Sequence, residues 1–267
     1  MKANKNYEVP WNHSEKTPHL AEDIRDNVSK LIVVPGHALL RDGVLAGKKL
    51  SYYKSDDVWR LQGFQKGEPP FYIEHIKAGV DALIENPEAI LTFSGGRTRP
   101  DNQDWSEAGS YLAVAKALPE WTTELEDRVL TEDFARDSIL NIFYSSLRYF
   151  METGKFPETV EVMNWGFKAS RFNNHREALG ISKDQFTYTE INNPIGGNLE
   201  GAKKGEAKAL DAFQKDPLAL EGDLLRKREA RDPHQDGNPY ISLLTEASRE
   251  IGQFFHLQRK VIEGLLK

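Results

Sequence analysis

Four short stretches of this chain set groups that handle anions and protons directly beside apolar runs. "LIVV" leads into Pro35-Gly36-His37, and "LTF" leads into Ser94-Gly95-Gly96-Arg97-Thr98-Arg99. Glu132 to Ser138 ("EDFARDS") precede an amphipathic segment, and "VEVMN" leads into Trp165-Gly166-Phe167-Lys168-Ala169-Ser170-Arg171. Glycine lacks a Cβ, so backbone N–H groups beside it can approach a ligand closely. A helix N-terminus, such as the one expected at Ser106, adds partial positive charge. Guanidinium groups present a planar fork that matches carboxylate or phosphate. Arg97, Arg99, Arg136, Lys168 and Arg171 are therefore expected to make an electropositive pocket that takes a small anionic ligand. Gly36, Ser94 to Gly96, Thr98, Ser106 and Ser138 would line it. Glu107 or Asp137 would serve as general base or as ligand for a divalent ion, and His37 as general acid. Nothing in the spacing of these oxygen and imidazole donors demands a metal, and no cofactor is specified.

Each of these residues has a plainer reading. Ser-Gly-Gly after a strand is often only a tight turn. Glu107 follows Asp104 by three residues, the spacing of a capping box. Asp137-Ser138 can be a helix cap, with Asn141 facing outward one turn later. Arg171 and His175, four apart, can share a solvated helix face. His75 and His256 suit helix surfaces or packing. Compatible chemistry at four junctions at once favours the functional reading.

The elements that would position these groups alternate. "KLIVVPG", "AILTFSGG", "TVEVMNW" and "QFTYTEI" read as strands. Residues 71–89, 106–118, 137–154 and 169–180 read as helices, with Gly154 placed to cap the third. Strand–helix alternation from about residue 31 to 191 implies βαβ units, a mainly parallel sheet and helices on both faces. Ligands of such sheets collect outside the carboxyl ends of the strands, where all four stretches fall. Residues 1–28 read as a polar arm, 38–70 as a long irregular connection, and 199–215, 218–231 and 245–265 as polar helical segments. The expected organisation is the arm followed by a single α/β domain over 29–267 with a helical C-terminal extension.

The whole chain holds 267 residues with 39% apolar and 28% charged content, and its formal charge is −6. That composition suits a soluble globular protein and argues against a sequence-independent nucleic-acid binder. No cysteine is present, which excludes thiolate metal sites and thiol nucleophiles. No apolar stretch approaches the roughly 20 residues that span a bilayer, and the first residues do not read as a secretory signal. A cytoplasmic protein without a membrane partner is expected; the oligomeric state is not indicated. Phosphate-loop, dinucleotide, zinc-protease and nucleophile-elbow motifs are all lacking.

Taken together, "LIVVPGHAL", "FQKGEPPFYIEHIKAGV", "LTFSGGRTRP", "SEAGSYL", "EDFARDSILNI" and "GFKASRFNNHREALG" resemble the eukaryotic branch of the DUF218 family of YdcF-, SanA- and ElyC-like proteins. "LLRKREARDPHQDGNPY" is similar to that branch's C-terminal signature, so the likeness covers roughly residues 31 to 240. The resemblance implies a Rossmann-like, doubly wound fold with the same polar residues at the strand ends, adds Asn141 and His175 to the ligand-binding set, and adds Arg228 and Arg231 as weaker candidates. "PGHA" and "RDSILN" stand where bacterial members carry a glycine-rich turn and an N-T-x-E-N-like motif. The expected function is a hydrolase or group transferase acting on a phosphate- or carboxylate-bearing, possibly nucleotide-like molecule. The alternatives are a non-catalytic module binding a nucleotide or an S-adenosylmethionine-like ligand, and an interaction scaffold.

Overall fold

A computed structural model describes residues 20–194 and 197–266. The first elements are α1 (Glu22–Asn27), β1 (Lys30–Pro35), β2 (Leu39–Leu40), β3 (Trp59–Arg60), α2 (Pro69–Glu85) and β4 (Ala89–Ser94). They are followed by α3 (Glu107–Ala115), α4 (Thr123–Glu126), β5 (Val129–Glu132), α5 (Ser138–Thr153), β6 (Thr159–Asn164), α6 (Ala169–Ala178) and β7 (Phe186–Glu190). The C-terminal part is helical: α7 (Gly197–Lys215), α8 (Gly222–Glu229), α9 (Leu243–Glu246), α10 (Ser248–Phe254) and α11 (Arg259–Leu266).

The five main strands form one parallel sheet in the order β5-β4-β1-β6-β7. The chain winds outward from β1 through β4 to β5, then returns to the other side of β1 for β6 and β7. This is a Rossmann-like doubly wound sheet. Its centre explains the uninterrupted apolar run of β1: Leu31 and Val33 pack on one face with α5 and the C-terminal helices, and Ile32 and Val34 on the other with α2 and α3. A strand buried on both faces has no polar alternation to show. Helix α5 follows the rules read from sequence: Asp137 caps its N-terminus through Leu140 N–H at 3.0 Å, and Gly154 closes it at φ 72°.

Of the polar arm expected over residues 1–28, residues 1–19 lie outside the described residues; the rest forms α1, with Leu20 and Val28 buried in the core on either side of it. The edge strand β5 was not foreseen, because "VLTE" is short and ends in a carboxylate. The irregular 38–70 connection is a packed flap. Its antiparallel pair β2–β3 and short 3-10 turns bury Tyr53 and Trp59 completely.

Candidate functional site

The winding direction reverses between β1 and β6, so a crevice opens beyond their carboxyl ends. A cavity of about 940 Å³ occupies that place. Its wall is drawn from the β1 turn, the Thr98–Pro100 loop, the start of α3 and α5, the β6–α6 junction, and helices α7 and α8.

The glycines do not do what their position promised. Gly36 N–H donates to Ser94 O at 2.7 Å, Gly95 N–H to Glu132 O at 2.8 Å, and Gly96 N–H to Ala135 O at 2.8 Å. Each donor is used to lace the strand ends together. The first N–H groups of α3 are also taken: Glu107 by Gly96 O, Ala108 by Gly95 O, and Gly109 by the Ser106 side chain. Ser106 is thus the helix cap, in place of the expected box from Asp104, and its hydroxyl also donates to Asp133. What Gly36 and Gly95 provide is room. A Cβ on Gly36 would lie 2.5 Å from Glu107 Cβ, and one on Gly95, at φ 149°, would lie 2.7 Å from Glu107 Oε2. Two strand ends omit side chains so that one carboxylate can stand between them.

Glu107 Oε1 accepts from the Thr98 hydroxyl at 2.8 Å, while Oε2 has no hydrogen-bond partner among the described residues. Burial raises its pKa, opposed by the Thr98 hydrogen bond and then by the charges of Arg231, Arg99 and Lys168. All three cations line the cavity, and none has a carboxylate within ion-pair distance among the described residues. Arg231 donates to Arg136 O at 2.9 Å.

The other arginines are engaged. Arg97 pairs with Asp236, away from the main cavity. Arg136 pairs with Asp232 at 2.8 Å, and Arg171 with Glu206 at 2.7 Å. Asp137, besides capping α5, receives Arg228 Nε at 2.7 Å, so both of its oxygens are occupied. Ser138 accepts from Arg171 at 2.7 Å, and its hydroxyl is hydrogen-bonded with His175 Nε2 at 2.7 Å. His175 is fully buried against Phe213 rather than on a solvated face, and burial holds it well below the usual imidazole range. Ser94 donates to Glu132 at 2.7 Å and accepts from Asn141 at 2.9 Å, so Asn141 faces inward at the cavity wall and not outward as its plainer reading had it.

His37 sits at the switch point. Asn164 Oδ1 accepts from Trp165 N–H at 2.7 Å, which fixes the amide's orientation, and lies 2.8 Å from His37 Nε2. That nitrogen therefore carries the hydrogen, and Nδ1 presents a lone pair 3.5 Å from Lys168 Nζ. Burial, then the neighbouring Lys168, keeps the ring neutral, so His37 acts as an acceptor and not as the acid expected. Lys168 itself is lowered to about 7, chiefly by burial and next by Arg171. Several wall residues escaped the sequence reading. Asn164 ends its strand as the chosen residues do and was within reach. Glu68 and Gln65, on the flap, and Glu206, on a polar helix, carry no local signal.

No family model matches the chain, and no solved structure matches it. It is similar to an uncharacterized protein of Saccharomyces cerevisiae, YOR238W, with 24% identity over 264 residues, covering 80% of this chain and 87% of that protein. The likeness to the DUF218 family consequently rests on the motifs quoted above.

Proposed function

We propose that the cavity binds a small molecule bearing a phosphate or carboxylate group, and that Glu107 moves the proton in a hydrolysis or group transfer performed on it. One observation carries this reading: Arg99, Arg231 and Lys168 converge on Glu107 without carboxylate partners, while the arginines around them are paired. A cluster of half-buried cations is stabilised by an anion brought from outside. Of the three residues expected to handle protons, Glu107 alone keeps a free oxygen facing the cavity, and its raised pKa brings its basicity toward neutral pH. Membership of the DUF218 family is part of the same proposal, supported by the motif set.

A second reading, ligand sensing without turnover, draws on Phe64 and Phe167, whose rings line the cavity and can stack on a flat ligand such as a nucleobase. A thermal-shift panel of phosphate, nucleotide and carboxylate compounds tests both. A ligand at 100 times its Kd stabilises by about 2.7 kcal/mol. Glu107→Gln is expected to keep the shift and abolish turnover of the compound that causes it. No shift across the panel, or an undiminished shift after Arg99→Ala and Arg231→Ala together, overturns the proposal.

A further inference from the structure

We propose that Lys168 is an amine nucleophile that captures the carbonyl group of an anionic ligand as an imine. The inference rests on the anion reading above for the ligand's charge, and adds an aldehyde or ketone to its chemistry.

Lys168 ends the short 3-10 turn after β6, where its backbone N–H is held by Trp165 O at 3.1 Å. Its Nζ faces the cavity, 5.7 Å from the centre of the Phe167 ring and 3.5 Å from the lone pair of His37 Nδ1. Three other lysines meet carboxylates: Lys30 with Glu161, Lys77 with Asp81 and Glu120, Lys116 with Glu126. Lys168 has no such partner among the described residues. The groups that face it are Arg171 on α6, Glu206 on α7, Glu68 before α2, Glu107 on α3 and neutral His37. Burial and the like charge of Arg171 outweigh the three carboxylates, and the pKa of about 7 leaves a large share of free amine at neutral pH. Arg99 and Arg231 supply guanidinium groups for the anion alongside the ammonium fraction of Lys168, which leaves its free-amine fraction available for other chemistry. A desolvated amine facing an open cavity is suited to attack.

The chemistry balances without a further reactant. The Nζ lone pair adds to the carbonyl carbon, and the carbonyl oxygen becomes a hydroxyl. That hydroxyl leaves as water, taking the two hydrogens that the amine carried, and a C=N bond remains. Glu107, whose pKa burial raises, can lend a proton to the departing hydroxyl and take one back from Nζ.

The test treats the full chain with pyridoxal 5′-phosphate, reduces with borohydride, and maps the adduct by peptide mass spectrometry from pH 6 to 9. Inorganic phosphate binding is followed in parallel by thermal shift. The expected result is one dominant adduct on Lys168 with half-maximal labelling near pH 7. Phosphate should compete with it, and Lys168→Arg, checked to melt like the wild type, should lose it at least tenfold. Label spread over surface lysines, or kept in Lys168→Arg, overturns the inference even when phosphate still shifts the melting curve. A Lys168 adduct without any phosphate shift upholds the nucleophile and sinks the anion reading instead.

Discussion

The arginines around the strand ends fall into two regions that residue type does not distinguish. In the outer region Arg97, Arg136 and Arg228 each cross between the sheet and the C-terminal segment to a carboxylate: Asp236, Asp232 and Asp137. Arg171 joins α6 to α7 through Glu206 in the same way. In the inner region Arg99 and Arg231 stand near Glu107 with Lys168, and no carboxylate is paired to any of the three among the described residues. The first set closes the molecule, fastening helices over the crevice. The second keeps positive potential inside it. Guanidinium groups at strand ends signify a binding site only where the fold has not already supplied their counter-charge.

Substitutions should separate the two regions, and the largest effect belongs to the outer one. Arg228 is only 4% exposed, and Arg228→Leu strands the Asp137 carboxylate. Loss of one partner of a buried pair costs about 3–5 kcal/mol, read as a lower urea midpoint. A midpoint within experimental error of wild type would dissolve the distinction. The next effect is a pH dependence just behind that region. Glu132 is fully buried, and burial pushes its carboxyl from the usual 4.5 to about 7 against hydrogen bonds from Ser94, Phe134 and Ala135. Between those values the native protein binds more protons than the unfolded chain. Stability therefore falls as pH rises from about 4.5 to 7, by about 3 kcal/mol from this group. Lys168, lowered to about 7, contributes the opposite slope, its penalty lifting only as pH climbs from about 7 toward 10.5. Denaturant titrations of Glu132→Gln from pH 4.5 to 7 should show the decline reduced. The smallest effect on stability, and the sharpest test of the contrast, is Arg99→Ala. It should change unfolding free energy by less than about 0.5 kcal/mol while removing most of the ligand-induced shift.

Much of the fold was legible because a doubly wound sheet writes itself as alternation. "LIVV" is apolar throughout and "ILTF" is broken only by the buried Thr92, since both faces are covered, and Asp137 and Gly154 mark the ends of α5 with local chemistry. The edge strand β5, four residues ending in Glu132, has too little periodicity to stand out. The site was legible as a place, because parallel strands bring all their carboxyl ends to one rim. It was not legible as a set of roles. Carboxylate partners lie 35 residues from Arg171 and 139 from Arg97, and nothing local in a polar helix names them. Gly95 reads as an invitation to a ligand until Glu107, twelve positions later, is seen in the space where its side chain would be.

That crowding makes the carboxylate hostage to two residues that carry no charge and touch no ligand. A single methyl group at position 36 or 95 would push Glu107 out of its slot while every cation stayed in place. Proton transfer could then be lost with the electrostatic landscape intact, a lesion that inspection of the charged residues alone would never reveal.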